Sequence, residues 1–136
     1  MPEYLDFELE IGPGQGREYP VAVLRSPAGE VRATMHFPFD IIQLDSRLKS
    51  LQIALLRSGG TRRQVLSSEQ QAVREFGHAL FEALLTGEVR TLFAMSRDKA
   101  GSKGLRIKLR ITDPALAALP WEFLYDARSQ AFVALS

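Results

Sequence analysis

Two seven-residue stretches far apart in this chain alternate without a break. Leu5, Phe7, Leu9 and Ile11 enclose Asp6, Glu8 and Glu10, and Leu105, Ile107, Leu109 and Ile111 enclose Arg106, Lys108 and Arg110. A period of two is that of a strand with one buried face. The polar faces of the two strands carry opposite charge. Opposite charges across neighbouring strands are favourable by about 0.2–1 kcal/mol per pair. Both strands are therefore expected in one sheet, and adjacency is the arrangement that pairs their charges.

The residues between them set the fold class. Gly12-Pro13-Gly14-Gln15-Gly16 is loop by composition, and residues 19–25 are apolar on both faces, as in a more central strand. Ser26-Pro27-Ala28-Gly29 signals a turn. Val31, Ala33, Met35 and Phe37 then alternate with Arg32, Thr34 and His36, which completes an antiparallel meander. After Pro38 the period changes. Ile41, Leu44, Leu48, Leu51 and Leu55 form a helical stripe with Asp40 as N-cap, and Gly59-Gly60 ends it. A connector with Arg62 and Arg63 follows. Ser68 and Gln71 read as a capping box for a second helix over residues 69–86, with Val73, Phe76, Leu80 and Leu84 inward and Gly87 as its stop. A short third helix is expected over residues 88–96, with Val89, Leu92 and Phe93 inward, and then a flexible basic loop over residues 97–103. After the charged strand, Asp113 and Pro114 have the types of an N-cap and a first helical residue. The expected architecture is one α+β domain over residues 1–136. It has an N-terminal antiparallel meander, two to three amphipathic helices, and a strand–turn–short strand returning to the sheet.

Composition narrows the function classes. A net charge of +1 gives no bulk attraction to nucleic acid or anionic membranes, and the absence of cysteine leaves no disulfide, thiolate ligand or Cys nucleophile in these residues. Residues 1–10 are acidic and alternating, so no secretory leader is expected. No apolar run approaches the roughly 20 residues of a membrane span. A cytoplasmic protein fits.

Candidate chemistry is sparse. The glycine-rich residues 12–16 follow a strand, but Pro13 removes a donor and no Lys-Ser/Thr follows, so a plain loop is expected instead of a phosphate cradle. His36 and His78 are the only histidines, and two isolated histidines do not make a metal site. Arg97, Lys99, Lys103, Arg106, Lys108 and Arg110 form the densest basic patch. Without interleaved aromatics it reads as a solvated or acid-paired face, with nucleic acid disfavoured. No cofactor is expected.

The most distinctive string is Leu119-Pro120-Trp121-Glu122-Phe123-Leu124-Tyr125-Asp126, which holds the only Trp. Trp121, Phe123 and Leu124 are expected to form core with Leu116 and Leu119. Glu122 lies between two aromatics and reads as a buried structural anchor, with Pro120 and Trp121 beside it. The charged strand, this string, and the run Phe132-Val133-Ala134-Leu135-Ser136 together resemble the start of CHAT domains, the caspase-like peptidase family found with TPR repeats. The preceding region resembles the segment before this string in bacterial CHAT proteins. In that family the catalytic His and Cys lie well downstream, so the resemblance implies that these residues are an N-terminal piece of a larger cysteine peptidase. None of the family's catalytic residues maps onto them. The expected function is therefore a non-catalytic regulatory or scaffold portion, not an enzyme by itself. Its partners would be proteins: its own peptidase region or attached domains. The alternative is a stand-alone interaction module. It would pair through the edge formed by Phe132, Val133, Ala134 and Leu135, where a homodimer is also conceivable.

Overall fold

The alternating segments form strands, each with its apolar residues on the side that the helices cover. The computed structural model describes residues 4–57, 67–128, 131–133 and 135. Strands β1 (Leu5–Ile11), β2 (Glu18–Arg25) and β3 (Val31–His36) make the antiparallel meander, and β4 (Leu105–Ile111) joins it beside β1 in the order β3-β2-β1-β4. The β1–β4 pairing is parallel and sets Asp6 opposite Arg106, Glu8 opposite Lys108 and Glu10 opposite Arg110. Arg106 donates from Nε (3.2 Å) and Nη2 (3.0 Å) to Asp6 Oδ1, and Arg110 Nε lies 3.9 Å from Glu10 Oε2. The charge pattern thus identified both the neighbour and the register. A bulge where the β1–β2 register shifts, between Glu8 and Leu9, brings Arg25 within 4.0 Å of Glu8. Acids on β1 are therefore flanked by bases on both sides.

These pairs are partly exposed, so each is worth little alone. Arg106→Asp, which puts like charges opposite each other at Asp6, is expected to lower stability by about 1 kcal/mol or less. Adding Asp6→Arg should restore it, as read by urea denaturation.

Parallel neighbours need a crossover, and the helices supply it. Helix α1 (Ile41–Arg57) opens with a reciprocal cap: Gln43 N donates to Asp40 Oδ1 at 2.7 Å, and Asp40 N donates to Gln43 Oε1 at 3.0 Å. Ile41 does not belong to the inward stripe. Phe39, just before it, takes the core position, and Ile41 stands 87% exposed. Leu51 and Ala54 are buried, with Leu44 and Leu48 packed against the core. Helix α2 (Ser67–Leu84) buries Val73, Phe76, Leu80 and Leu84 as the spacing predicts, and adds Phe81. The Gly59-Gly60 stop, the Arg62–Arg63 connector and the Ser68–Gln71 box lie outside the described residues or their described side chains.

Helix α3 (Gly87–Ala100) runs past the expected end, and a 3-10 turn (Gly101–Lys103) follows, where a flexible loop was expected. Ser96 and Ala100 continue the buried face of Val89 and Phe93, so the helix keeps its contacts for another turn. Arg97 and Lys99 lie in that last turn, where the helix dipole favours cations. The inner sheet face, with Phe7, Leu9, Ile11, Val21, Val23 and Met35, meets α2 and α3 in one core. Phe7 and Phe93 meet edge to face at 5.2 Å.

After β4, Asp113 Oδ1 accepts from Ala115 N (3.0 Å) and Leu116 N (3.2 Å), and Pro114 opens the single turn α4 (Pro114–Ala117). A 3-10 turn (Trp121–Phe123) leads to a hairpin of β5 (Tyr125–Asp126) and β6 (Ala131–Phe132), which is separate from the main sheet. The return to the main sheet is made by Leu135, which bridges in parallel to Ile107 of β4.

Candidate functional site

The string at residues 119–126 acts as a clasp between the strand layer and the helices. The cap at Asp113 turns the chain back so that Leu116 and Leu119 face inward, and Trp121 follows them into the core. Its indole Nε1 donates to the carbonyl of Leu116 at 2.7 Å, which satisfies the one polar atom of a buried ring. Pro120 is half-buried at the head of the turn. The carbonyl of Phe123 rests against α2 at Gly77, so closely that a Cβ there would lie 1.7 Å from the oxygen. The guanidinium of Arg74, one helical turn earlier, sits 5.5 Å over the ring of Tyr125.

Glu122 is not the buried anchor expected from its neighbours. It is exposed, because the 3-10 turn directs Trp121 inward and the next side chain outward. The buried carboxylate is Asp126, 3% exposed. Its Oδ2 accepts from Arg97 Nη1 at 2.7 Å, and its Oδ1 accepts from the backbone N of Arg128 at 3.0 Å. The second bond is an Asx turn, a local signal present in the sequence as Asp-Ala-Arg after an apolar run. Arg97 also lies 4.7 Å over the ring of Phe93. A residue assigned to a flexible loop thus ties the hairpin to α3. Replacing Arg97 by Met keeps the stacked bulk and removes a charged hydrogen bond, an expected loss of about 1.5–3 kcal/mol in urea unfolding.

The C-terminal run is divided. Ala131 and Phe132 pair antiparallel with Asp126 and Tyr125, Val133 N donates to the carbonyl of Leu124 at 2.9 Å, and Leu135 bridges to β4. Ala134 lies outside the described residues. The run is therefore partly paired already within its own chain.

The remaining candidates are structural in their surroundings. Residues 12–16 close a tight turn in which Gln15 and Glu18 exchange backbone hydrogen bonds of 3.0 Å, and the next element is a strand. His36 is exposed, 3.4 Å from Glu18. His78 lies 3.6 Å from Glu82, which Arg90 holds with two bonds of 2.9 and 3.1 Å. In the basic patch Arg97, Arg106 and Arg110 each face a carboxylate. Among the described residues no cluster of His, Asp or Glu has the arrangement of a metal site, and no described helix is long and apolar enough to cross a membrane.

One feature was missed in the sequence. A groove of about 780 Å³ opens where the ends of β2 and β3 meet the start of α1 and α4, and its lining is mostly apolar. Tyr19, Phe37, Phe39 and Leu116 line it, with Ile41 and Ile42 among its other walls. Assigning Ile41 to the inner helical stripe concealed it.

Searches against protein-family models, curated proteins and solved structures give no match to this chain.

Proposed function

We propose that this chain is the non-catalytic N-terminal portion of a CHAT-type caspase-like cysteine peptidase, a cytoplasmic scaffold that leads into the peptidase core. The supporting observation is the outer edge of β4. One side of β4 pairs with β1 along its whole length, and on the other side Leu135 lies parallel to Ile107. The α4 turn, the Trp121 clasp and the hairpin form the connection between β4 and Leu135, as a parallel neighbour requires. A strand continuing from Leu135 extends the sheet, and the catalytic His and Cys then belong to residues beyond it.

The same edge supports a second reading, an interaction module that takes a strand from another protein. Sequencing the coding region past codon 136 separates the two. The peptidase reading expects a His-Gly motif and a later Cys in frame. A stop codon at that point sinks it and leaves the module.

A further inference from the structure

Helix α1 is apolar on two opposite sides. Leu51 and Ala54 face the core, and α1 packs on α2. On the far side stand Ile42, Ile53 and Leu56, which are 81%, 52% and 80% exposed. With Ser46 and Lys49 between them they fall at steps of four, three, four and three residues. That is the spacing of a coiled-coil seam. A helix apolar on both sides is stable in water when both are covered.

We propose that the second cover is α1 of another copy of this chain, packed antiparallel about a two-fold axis at Lys49. The seam is symmetric about that residue, since Ile42 lies seven positions before it and Leu56 seven after. An antiparallel pair therefore sets each Ile42 against Leu56 of the other copy, the self-complementary contact that a two-fold interface requires. The charges fit the same direction. Asp40 and Asp45 precede the midpoint and Arg57 closes the helix, so the acidic end of one copy runs along the basic end of the other. The helix dipoles then oppose favourably. Lys49, now 3.0 Å from Asp45 of its own helix, can exchange that partner for Asp45 of the second copy. The apolar groove opens beside Ile42. It lies at the end of the seam where Leu56 of the second copy arrives. This surface is distinct from the β4 edge, and the proposal holds under either reading of function.

The chain has no cysteine, so single cysteines report the geometry. Lys49→Cys is expected to give a disulfide-linked dimer rapidly under mild oxidation. Ile42→Cys should not link to itself, because the two copies of residue 42 lie about 21 Å apart along the axis. Sedimentation velocity of the unaltered chain should show a species near twice 15.2 kDa. Ile42→Glu and Leu56→Glu should each return it to monomer mass with the far-UV spectrum unchanged. A chain that stays monomeric at its highest soluble concentration overturns the proposal. So does a dimer that survives both Glu variants, which places the interface elsewhere, on the sheet edge or with the groove left free. Cross-linking at residue 42 as fast as at residue 49 overturns it too, because the helices then run parallel.

Discussion

Gly77→Ala is expected to lower the stability of this protein by about 3 kcal/mol, a fall of about 10 °C in melting temperature for a domain of this size. The sign is the informative part. At an ordinary helix-interior position the same change raises stability by about 0.5–1 kcal/mol. Here the added methyl carbon meets the carbonyl oxygen of Phe123 at 1.7 Å, the carbonyl carbon at 2.8 Å and the Cβ of Tyr125 at 3.2 Å. Two of these three atoms are backbone, so no rotamer change relieves the contact. Either α2 moves off the clasp or the clasp moves off α2. Truncating Phe123 to Ala in the same chain should therefore give no rescue, since the carbonyl remains. A Gly77→Ala chain that melts at or above the parent would show that α2 and the clasp are not in contact.

The second large effect is expected at Trp121. Its side chain is 6% exposed and adjoins Leu116, Leu119 and Leu124 in the core. Removing it to Ala should cost about 3–5 kcal/mol. Trp121→Phe keeps most of the ring and loses the bond to the Leu116 carbonyl, worth about 1 kcal/mol. That carbonyl also accepts from Leu119 N at 3.1 Å, so it is not orphaned and the Phe variant should lie well above the Ala variant. Trp121 is the only tryptophan, so fluorescence follows the clasp directly. Its emission should shift to the red in the same urea range in which circular dichroism is lost. An earlier shift would mean that the clasp opens before the domain unfolds.

How much of this was legible depended on how local the physics is. Alternation exposed β1, β3 and β4 because each buries one face, and the signs of Asp6, Glu8, Glu10 and their partners specified the pairing. Caps at Asp40 and Asp113 were readable because the side chain bonds within three residues of itself. Parts that depend on distant partners were not readable. Glu122 and Asp126 are two carboxylates in one string, and which is buried depends on the direction of the 3-10 turn and on Arg97, 29 residues away from Asp126. Arg97 looked like loop because its charge suggested solvent. It lies along Phe93 and is half-exposed, an amphipathic use of a long side chain. Gly77 looked like a weak point in a helix. Its reason is a carbonyl 46 positions further along the chain, as their residue numbers show.

The pairing of β1 with β4 also bears on how the chain acquires its fold. Leu5 sits opposite Leu105, and every pair in that ladder joins residues 100 positions apart. Contacts of such separation slow folding, because the loop entropy is lost before the pairing repays it. During synthesis the meander emerges first, with the acidic strand lacking its basic neighbour. At ribosomal rates of about 5–20 residues per second, the wait for β4 lasts about 5–20 s. Throughout that interval Asp6, Glu8 and Glu10 lie along an open strand edge, and their mutual repulsion discourages the same edge of another nascent chain from pairing there. The row of acids that selects β4 in the finished domain therefore also acts as a guard while β4 is still being made.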